Sequence, residues 1–338
     1  MRATTKSASL LPFFVWLLLF YGAWLALVIT GGHLPTVVEH WPIAAAMAAG
    51  SYFAGSTPMG GGTVGFPVLV LLMDSPAALG RDFSFAVQSI GMTSASIYIL
   101  CKRQALEWPM LRAALVGTLT GTPLGILVIA PLVPDLFIKL LFAAMWCSFG
   151  LIHLRRTNEI TSYEGMTPHD VEFDHRVGFL TGLLGGLTVA SITGVGIDMI
   201  IYMALVLWCH ADLRIAIPTS VILMAFTSLI GIVTKLLLGG VAPGTYENWL
   251  AAAPIVAIGA PVGALVVSHV GRRSTLYLVS ILCVAQLIGT LMREHDSLTA
   301  WTLAATLLAI IIFLVVFQNM YRKGHQLARR SRKSVTDI

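Results

Sequence analysis

The chain reads as an all-α membrane protein: a polytopic helical bundle with inverted-topology repeats, each containing a broken re-entrant helix hairpin. Three observations predict this class. Apolar residues make up 57% of the 338 residues and charged ones only 11%, with a mean hydropathy of +0.85, whereas a soluble domain carries roughly 25% charged residues. Apolar stretches close to the ~20 residues that cross hydrocarbon as a helix recur along the whole length. Two of them, 42–73 and 177–209, are broken midway by glycine clusters flanked with hydroxyls. A β-barrel is excluded, because its signal is alternation in ~10-residue segments.

Taken in order, the first apolar run, 10–30, follows Arg2 and Lys6. It is long and ends without a small-x-small cleavage site, so it reads as a retained anchor rather than a signal peptide. Segment 42–73 is interrupted by the run GSTPMGGGT from Gly55 to Thr63. Uninterrupted spans follow at 83–100, 109–130 and 136–154, and then a polar stretch, 155–176. Segment 177–209 is interrupted by ASITGVGID from Ala190 to Asp198, and spans at 215–238, 249–270, 274–292 and 300–320 complete the chain.

Basic residues mark the cytoplasmic side of membrane helices. Here Arg2/Lys6, Lys102/Arg103, Arg155/Arg156, Arg272/Arg273 and the tail alternate with loops 31–41, 131–135 and 239–248, which contain no Lys or Arg. In the last outer loop Arg293 is outnumbered by Glu294 and Asp296. This count forces 42–73 to enter and leave by the outer face and 177–209 by the cytoplasmic face, so both are expected as re-entrant hairpins. Each half is then one hairpin plus three spans, an odd number, and the second copy must be inverted. Inverted repeats and paired helix interruptions are signs of secondary transporters.

The expected division is 1–41, an anchor helix and outer loop; 42–154, the first repeat; 155–176, a cytoplasmic connector; 177–292, the inverted second repeat; and 293–338, a last helix with a basic tail. Local sequence repeats with it. Gly121-Thr-Pro-Leu-Gly125 recurs as Gly259-Ala-Pro-Val-Gly263, and Met92-Thr-Ser94 as Phe226-Thr-Ser228. For the Gly-x-Pro-x-Gly pair close helix packing is the preferred reading, since small residues let backbones touch. For the hairpin glycines a functional reading is preferred, because consecutive glycines cost helix stability and freed backbone groups at bilayer depth must meet protein or a watery cavity.

These features resemble the TauE/SafE sulfite exporter family, also called the TSUP family of membrane anion transporters. The resemblance covers about 42–292. It rests on Gly60 to Gly62, Pro76 to Ala78 and Ser84 in the first unit, and on Gly194 to Gly196, Ala211 and Ala216 to Ser220 in the second. It implies a duplicated four-segment unit and an anion as the solute. The second unit departs in lacking the triple glycine and in carrying Asp198 just behind its motif.

Each broken hairpin is expected to start a half-helix at its break, near Thr63 and near Ile197, with N-terminal N–H groups aimed at the midplane. Each such end carries roughly +0.5 charge. At ~4 Å and an effective dielectric near 20, a half charge attracts a monoanion by roughly 2 kcal/mol, which makes an anion cradle without Lys or Arg. The substrate-binding candidates are Ser56, Thr57, Gly60, Gly61, Gly62, Thr63, Gln88, Thr93, Ser191, Thr193, Gly194, Gly196 and Thr227. The hydroxyls could instead cap half-helix ends or bond back to carbonyls, and mid-span polar groups could bond to neighbouring helices.

Asp198 is the deep acidic residue and the candidate for proton coupling. Structural pairing, or an interfacial position, are its alternatives. Arg81/Asp82 and Asp212/Arg214 are expected as local ion pairs. The connector's His169, Asp170, Glu172, Asp174 and His175 match no metal spacing, the four cysteines form no Cys-x-x-Cys pair, and no cofactor is read. Partners are then a small anionic solute, protons as a candidate coupling ion, and anionic lipid for the tail Arg322, Lys323, Arg329, Arg330, Arg332 and Lys333; nucleic acid is not expected.

The reading is a carrier, not an enzyme, in a membrane of bacterial inner type with both termini cytoplasmic. It moves an oxyanion such as sulfite or a sulfonate, as an exporter, by alternating access. An anion channel is the alternative, and an intramembrane hydrolase a distant one, for want of a second deep aspartate.

Overall fold

The computed structural model describes residues 9–167, 170–270 and 272–336, and among them every regular element is helical. Nine helices are long and apolar enough to cross a membrane among the described residues. The chain runs α1 (Leu11–Thr30), α2 (Leu34–Glu39), α3 (Trp41–Ser56), α4 (Gly62–Pro67), α5 (Ala77–Cys101), α6 (Trp108–Leu124) and α7 (Asp135–Ile160). It continues through α8 (Val171–Gly185), the single turn α9 (Ser191–Thr193), α10 (Ile197–Met203), α11 (Leu213–Leu237), α12 (Thr245–Val270), α13 (Arg272–Arg293) and α14 (Ala300–Thr336). Proline in the first turn opens α1, α2, α3 and α6, where its missing N–H and fixed φ suit a helix start.

Both interrupted segments fold back on themselves. In the first, a Cβ on Gly50 of α3 would meet Val64 of α4, and one on Gly65 would meet Met47, so α4 runs antiparallel to α3 beyond the break. In the second, Gly196 faces Val189 and Gly185 faces Ile197 and Ile200, the same reversal. Each short half-helix passes into a π-helical turn, Val68–Leu72 after α4 and Ala204–Trp208 after α10. Each is followed by a non-glycine residue with positive φ, Asp74 at 57° and His210 at 50°. The positive φ recurs again after the next helix in each half, at Arg103 (50°) and Gly239 (62°).

α5 and α11 pack together at the centre. Around them α3 lies against α12 and α6 against α8, so each broken segment is held by a helix distant from it in sequence. Both crossings are glycine contacts. A Cβ on Gly263 would come within 2.3 Å of the Tyr52 carbonyl oxygen, and one on Gly121 within 2.3 Å of the Leu183 oxygen. The Gly-x-Pro-x-Gly motifs are therefore packing surfaces, in line with the preferred reading. α7 pairs with α13, α14 lies on α7, and α1 hangs on α12 through Trp24 Nε1 donating to the Leu250 carbonyl at 3.0 Å.

Several boundaries differ from those expected, for definable reasons. α5 starts at Ala77 rather than at 83, because the charges in its first turns are neutralised internally. Asp82 is fully buried and takes Arg81 at 2.9 Å, Lys235 at 3.2 Å and the Ala242 N–H at 2.9 Å. The connector 155–176 is mostly helical: α7 runs through Arg155 and Arg156 to Ile160, and α8 begins at Val171. α14 carries the helix well past 320, since no proline or polar turn follows the apolar run. α8 together with α9, Val171–Thr193, is by length a further candidate crossing beside the eight expected spans. His169, Arg2 and Lys6 lie outside the described residues, as do the side chains of Arg329, Arg330, Arg332 and Lys333.

Candidate functional site

The two helix breaks meet in the interior. The Gly60 N–H donates to Asp198 Oδ2 at 2.7 Å, linking the tip of the first hairpin to the first turn of α10. The other carboxylate oxygen, Oδ1, accepts from the N–H of Met199 at 3.0 Å. Asp198 is completely buried within the protein, and the described residues give it amide partners rather than a cation. One carboxylate thus sits where a buried amide just ahead of α4 and one in the first turn of α10 converge, the position in which a helix N-terminus favours negative charge.

The breaks reach this geometry by different routes, which explains why only one has three glycines. In the second, the reversal needs left-handed backbone: φ is +77° at Gly194 and +97° at Gly196, conformations open to glycine without a Cβ penalty. In the first no φ is positive, and the requirement is space. A Cβ on Gly62 would lie 2.5 Å from Val195 Cγ1 and 2.8 Å from Gln88 Nε2. On Gly60 it would meet the Gln88 Oε1, whereas on Gly61 its tightest neighbour would be the flexible end of Met47 at 3.2 Å, with Ala54 Cβ at an ordinary 3.7 Å.

Gln88, from α5, ties the tips together. Its Nε2 donates to the Ser84 carbonyl at 3.0 Å and to the Gly194 carbonyl at 3.1 Å. Its Oε1 is buried with no hydrogen-bond partner among the described residues. Since both Nε2 contacts are carbonyl acceptors, the amide orientation is fixed and the free oxygen faces Gly60.

Most of the proposed hydroxyls do not face an open site. Ser56 and Thr57 donate to the Phe53 carbonyl at 3.5 and 2.7 Å. Ser191 donates to the Leu187 carbonyl at 2.7 Å, and Thr193 to those of Val189 and Val195 at 2.9 and 3.1 Å. These four stitch the ends of α3 and α9, the back-bonding alternative. Thr227 donates to the Leu223 carbonyl at 2.8 Å and pairs with Thr118 at 3.2 Å, which in turn meets Thr122 at 3.1 Å. Sequence reasoning passed over Thr118 and Thr122; their presence three and one residues from Gly121 was the available signal. Thr63 and Thr93 differ, each having a buried Oγ1 without a partner among the described residues.

Thr63 lines a cavity of about 680 Å³ between α4 and α13, together with Trp146, Met59, Cys283 and Arg293. The Trp146 Nε1 is also buried and unpartnered among the described residues. A second, small cavity of about 10 Å³ is lined by Gly61, Gln88 and Gly91. The tips are closed on one another.

Of the expected ion pairs, Arg81–Asp82 forms, with Lys235 added, while Asp212 caps α11 by accepting from the Arg214 N–H at 2.8 Å. No cluster of three metal-ligating side chains occurs among the described residues. A family model described as "Sulfite exporter TauE/SafE" matches residues 42–292. No curated protein and no solved structure matches the chain.

Proposed function

The chain belongs to the sulfite exporter TauE/SafE family, and on that premise we propose that it is a secondary transporter of a small oxyanion, sulfite or a sulfonate, working by alternating access around the paired breaks. It is an integral membrane protein by family and by its apolar helices. The observation that carries the reading is the bond from Gly60 N–H to Asp198. An amide of the first break, just ahead of α4, already holds a carboxylate, so the site has the polarity that an oxyanion needs. Solute and Asp198 then compete for the same donors, and the solute enters when the carboxylate swings away or takes a proton. Thr63, whose buried Oγ1 has no partner among the described residues, is the hydroxyl that can donate to it, whereas the Gln88 Oε1 is an acceptor and can only receive a protonated group.

The cavity lined by Thr63 would be the approach from one face, with rocking of the two halves about α5 and α11 opening the other. In this scheme 42–154 and 177–292 are inverted repeats, with re-entrant hairpins entering from opposite leaflets and both termini cytoplasmic. The recurring π turns and positive-φ residues support the duplication. The closed packing of the tips supports a carrier over an open channel. Export of a monoanion from a negative interior gains about 2.3 kcal/mol per 100 mV and needs no coupling ion, whereas a proton riding on Asp198 makes the movement electroneutral.

The test is flux into proteoliposomes with sulfite, sulfonates, thiosulfate and carboxylates, with and without a proton gradient. Saturable flux with counterflow is expected for at least one oxyanion, and Asp198→Asn is expected to abolish its dependence on the proton gradient. Large unsaturable currents would replace the carrier by a channel. Unchanged pH dependence in the variant would remove Asp198 from coupling.

A further inference from the structure

The geometry points to a binding site for an anionic phospholipid in the cleft between α7 and α14. This cleft has a volume of about 960 Å³ and lies apart from the helix breaks. Its walls divide by chemistry along the helix axes. Toward the bilayer interior they are Leu151, Ile311 and Val315, the last two well exposed on helices that are themselves candidate spans. Toward the helix ends on the Arg155 side they are Arg155, Arg156 and Arg322.

The three arginines are not equivalent. Arg156 is committed to the protein, with Glu159 at 3.4 Å, the Gln318 Oε1 at 3.3 Å and the Tyr321 ring centroid at 3.4 Å. Arg155 and Arg322 are exposed and form no ion pair among the described residues. Two free guanidiniums at the rim of an apolar cleft match a phosphate headgroup with its chains laid along the helices. A soluble phosphate would satisfy the cations but leave the apolar walls facing water, and a zwitterionic lipid would bring its own competing cation. The occupant is therefore an anionic lipid.

The site also has a structural consequence, because α14 lies outside the family match. Its Gly324 is seated against the Leu207 and Trp208 carbonyls at the end of the second hairpin, where a Cβ would come within 2.3 Å of the Leu207 oxygen. His325 Nε2 lies 2.9 Å from Glu159. A lipid bridging Arg155 and Arg322 fastens α14 to α7 beside that contact.

The experiment uses the full-length protein, delipidated in detergent and titrated with phosphatidylglycerol or phosphatidylcholine, with bound lipid read by native mass spectrometry and stability by thermal melting. Phosphatidylglycerol is expected to bind and raise Tm, and phosphatidylcholine to do neither. The pair Arg155→Gln with Arg322→Gln is expected to weaken phosphatidylglycerol binding about 30-fold, the equivalent of two surface cations at ~1 kcal/mol each. Arg155→Lys with Arg322→Lys is expected to keep most of it. Equal binding of the two lipids by the native protein, unchanged binding in the glutamine pair, or an equal Tm rise from inorganic phosphate would each overturn the proposal. The lipid comparison needs no variant and so does not depend on how the variants fold. None of these readouts involves solute flux, so they stand or fall apart from the transport reading.

Discussion

Gly194→Ala isolates the turn on which the meeting of the two breaks depends. Two separate costs arise. The residue has φ +77°, where an alanine loses roughly 1–2 kcal/mol. Its Cβ would lie 2.4 Å from the Arg81 carbonyl oxygen and 3.0 Å from the Ser84 Cβ. The first of these is backbone of a central helix that cannot rotate aside, so relief requires movement of α5 or of the tip, and overpacking of this kind costs about 1–3 kcal/mol. Together the two come to about 2–5 kcal/mol. Gly61→Ala provides the internal comparison, since its φ is not positive and the tightest neighbour of its Cβ would be the flexible Met47 Cε at 3.2 Å; a change within about 1 kcal/mol is expected there. Gly22→Ala, with nothing within 4 Å of its Cβ, sets the baseline for detergent and helix propensity. The assay is reversible unfolding in mixed micelles followed by tryptophan fluorescence, alongside flux in vesicles. Gly194→Ala should lose both stability and flux while Gly61→Ala keeps them. If the two variants unfold within about 0.5 kcal/mol of each other, the left-handed turn against α5 is not the feature that holds the tips.

Two further outcomes follow from groups away from the breaks. Asp82→Ala removes the one carboxylate between Arg81 and Lys235 and leaves two largely buried cations uncompensated; a loss of roughly 3–5 kcal/mol is expected, and a melting temperature unchanged from the native protein would refute the pairing. Glu107, in the loop before α6, has its carboxyl pushed upward by burial first and by the nearby Asp174 second. A raised folded pKa stabilises the fold below the ordinary carboxylate range and that contribution is lost as pH rises through the folded value. Glu107→Gln should therefore raise Tm at neutral pH and flatten its rise on mild acidification, and a variant that melts lower at neutral pH would contradict the assignment.

The sequence made the helices legible because bilayer thickness and apolar length are the same quantity, and proline marked several of their starts. It misjudged the ends wherever charge was handled inside the protein. Arg81 and Asp82 looked like a turn but are inside α5, since Lys235 from α11 completes their neutralisation, and no local pattern announces a partner that far along the chain. The connector failed for a related reason. Arg156 and Glu159 read as solvated loop, yet they face Tyr321 and His325 of α14, and these contacts extend α7 by more than a turn.

At the site, position along the chain was readable and side-chain commitment was not. Glycine content located both breaks and both half-helix starts. Yet Ser56, Thr57, Ser191 and Thr193 are spent on carbonyls three or four residues back, or in Thr193 also two ahead, a choice that depends on rotamer and on whether the adjoining helix end has another donor. Asp198 posed the sharper problem, because a fixed negative charge beside an anion site appeared to work against it. The bond from Gly60 resolves the conflict by showing which group the carboxylate addresses. On the proposed reading, the amide that holds a solute is the amide that holds Asp198. A donor buried without any partner costs about 1–3 kcal/mol, so an empty cradle would be unstable, and a tethered carboxylate keeps it satisfied while the tips are closed. The acidic residue and the glycine break therefore belong to one arrangement, joined by the Gly60–Asp198 bond, and the transport proposal places its solute there.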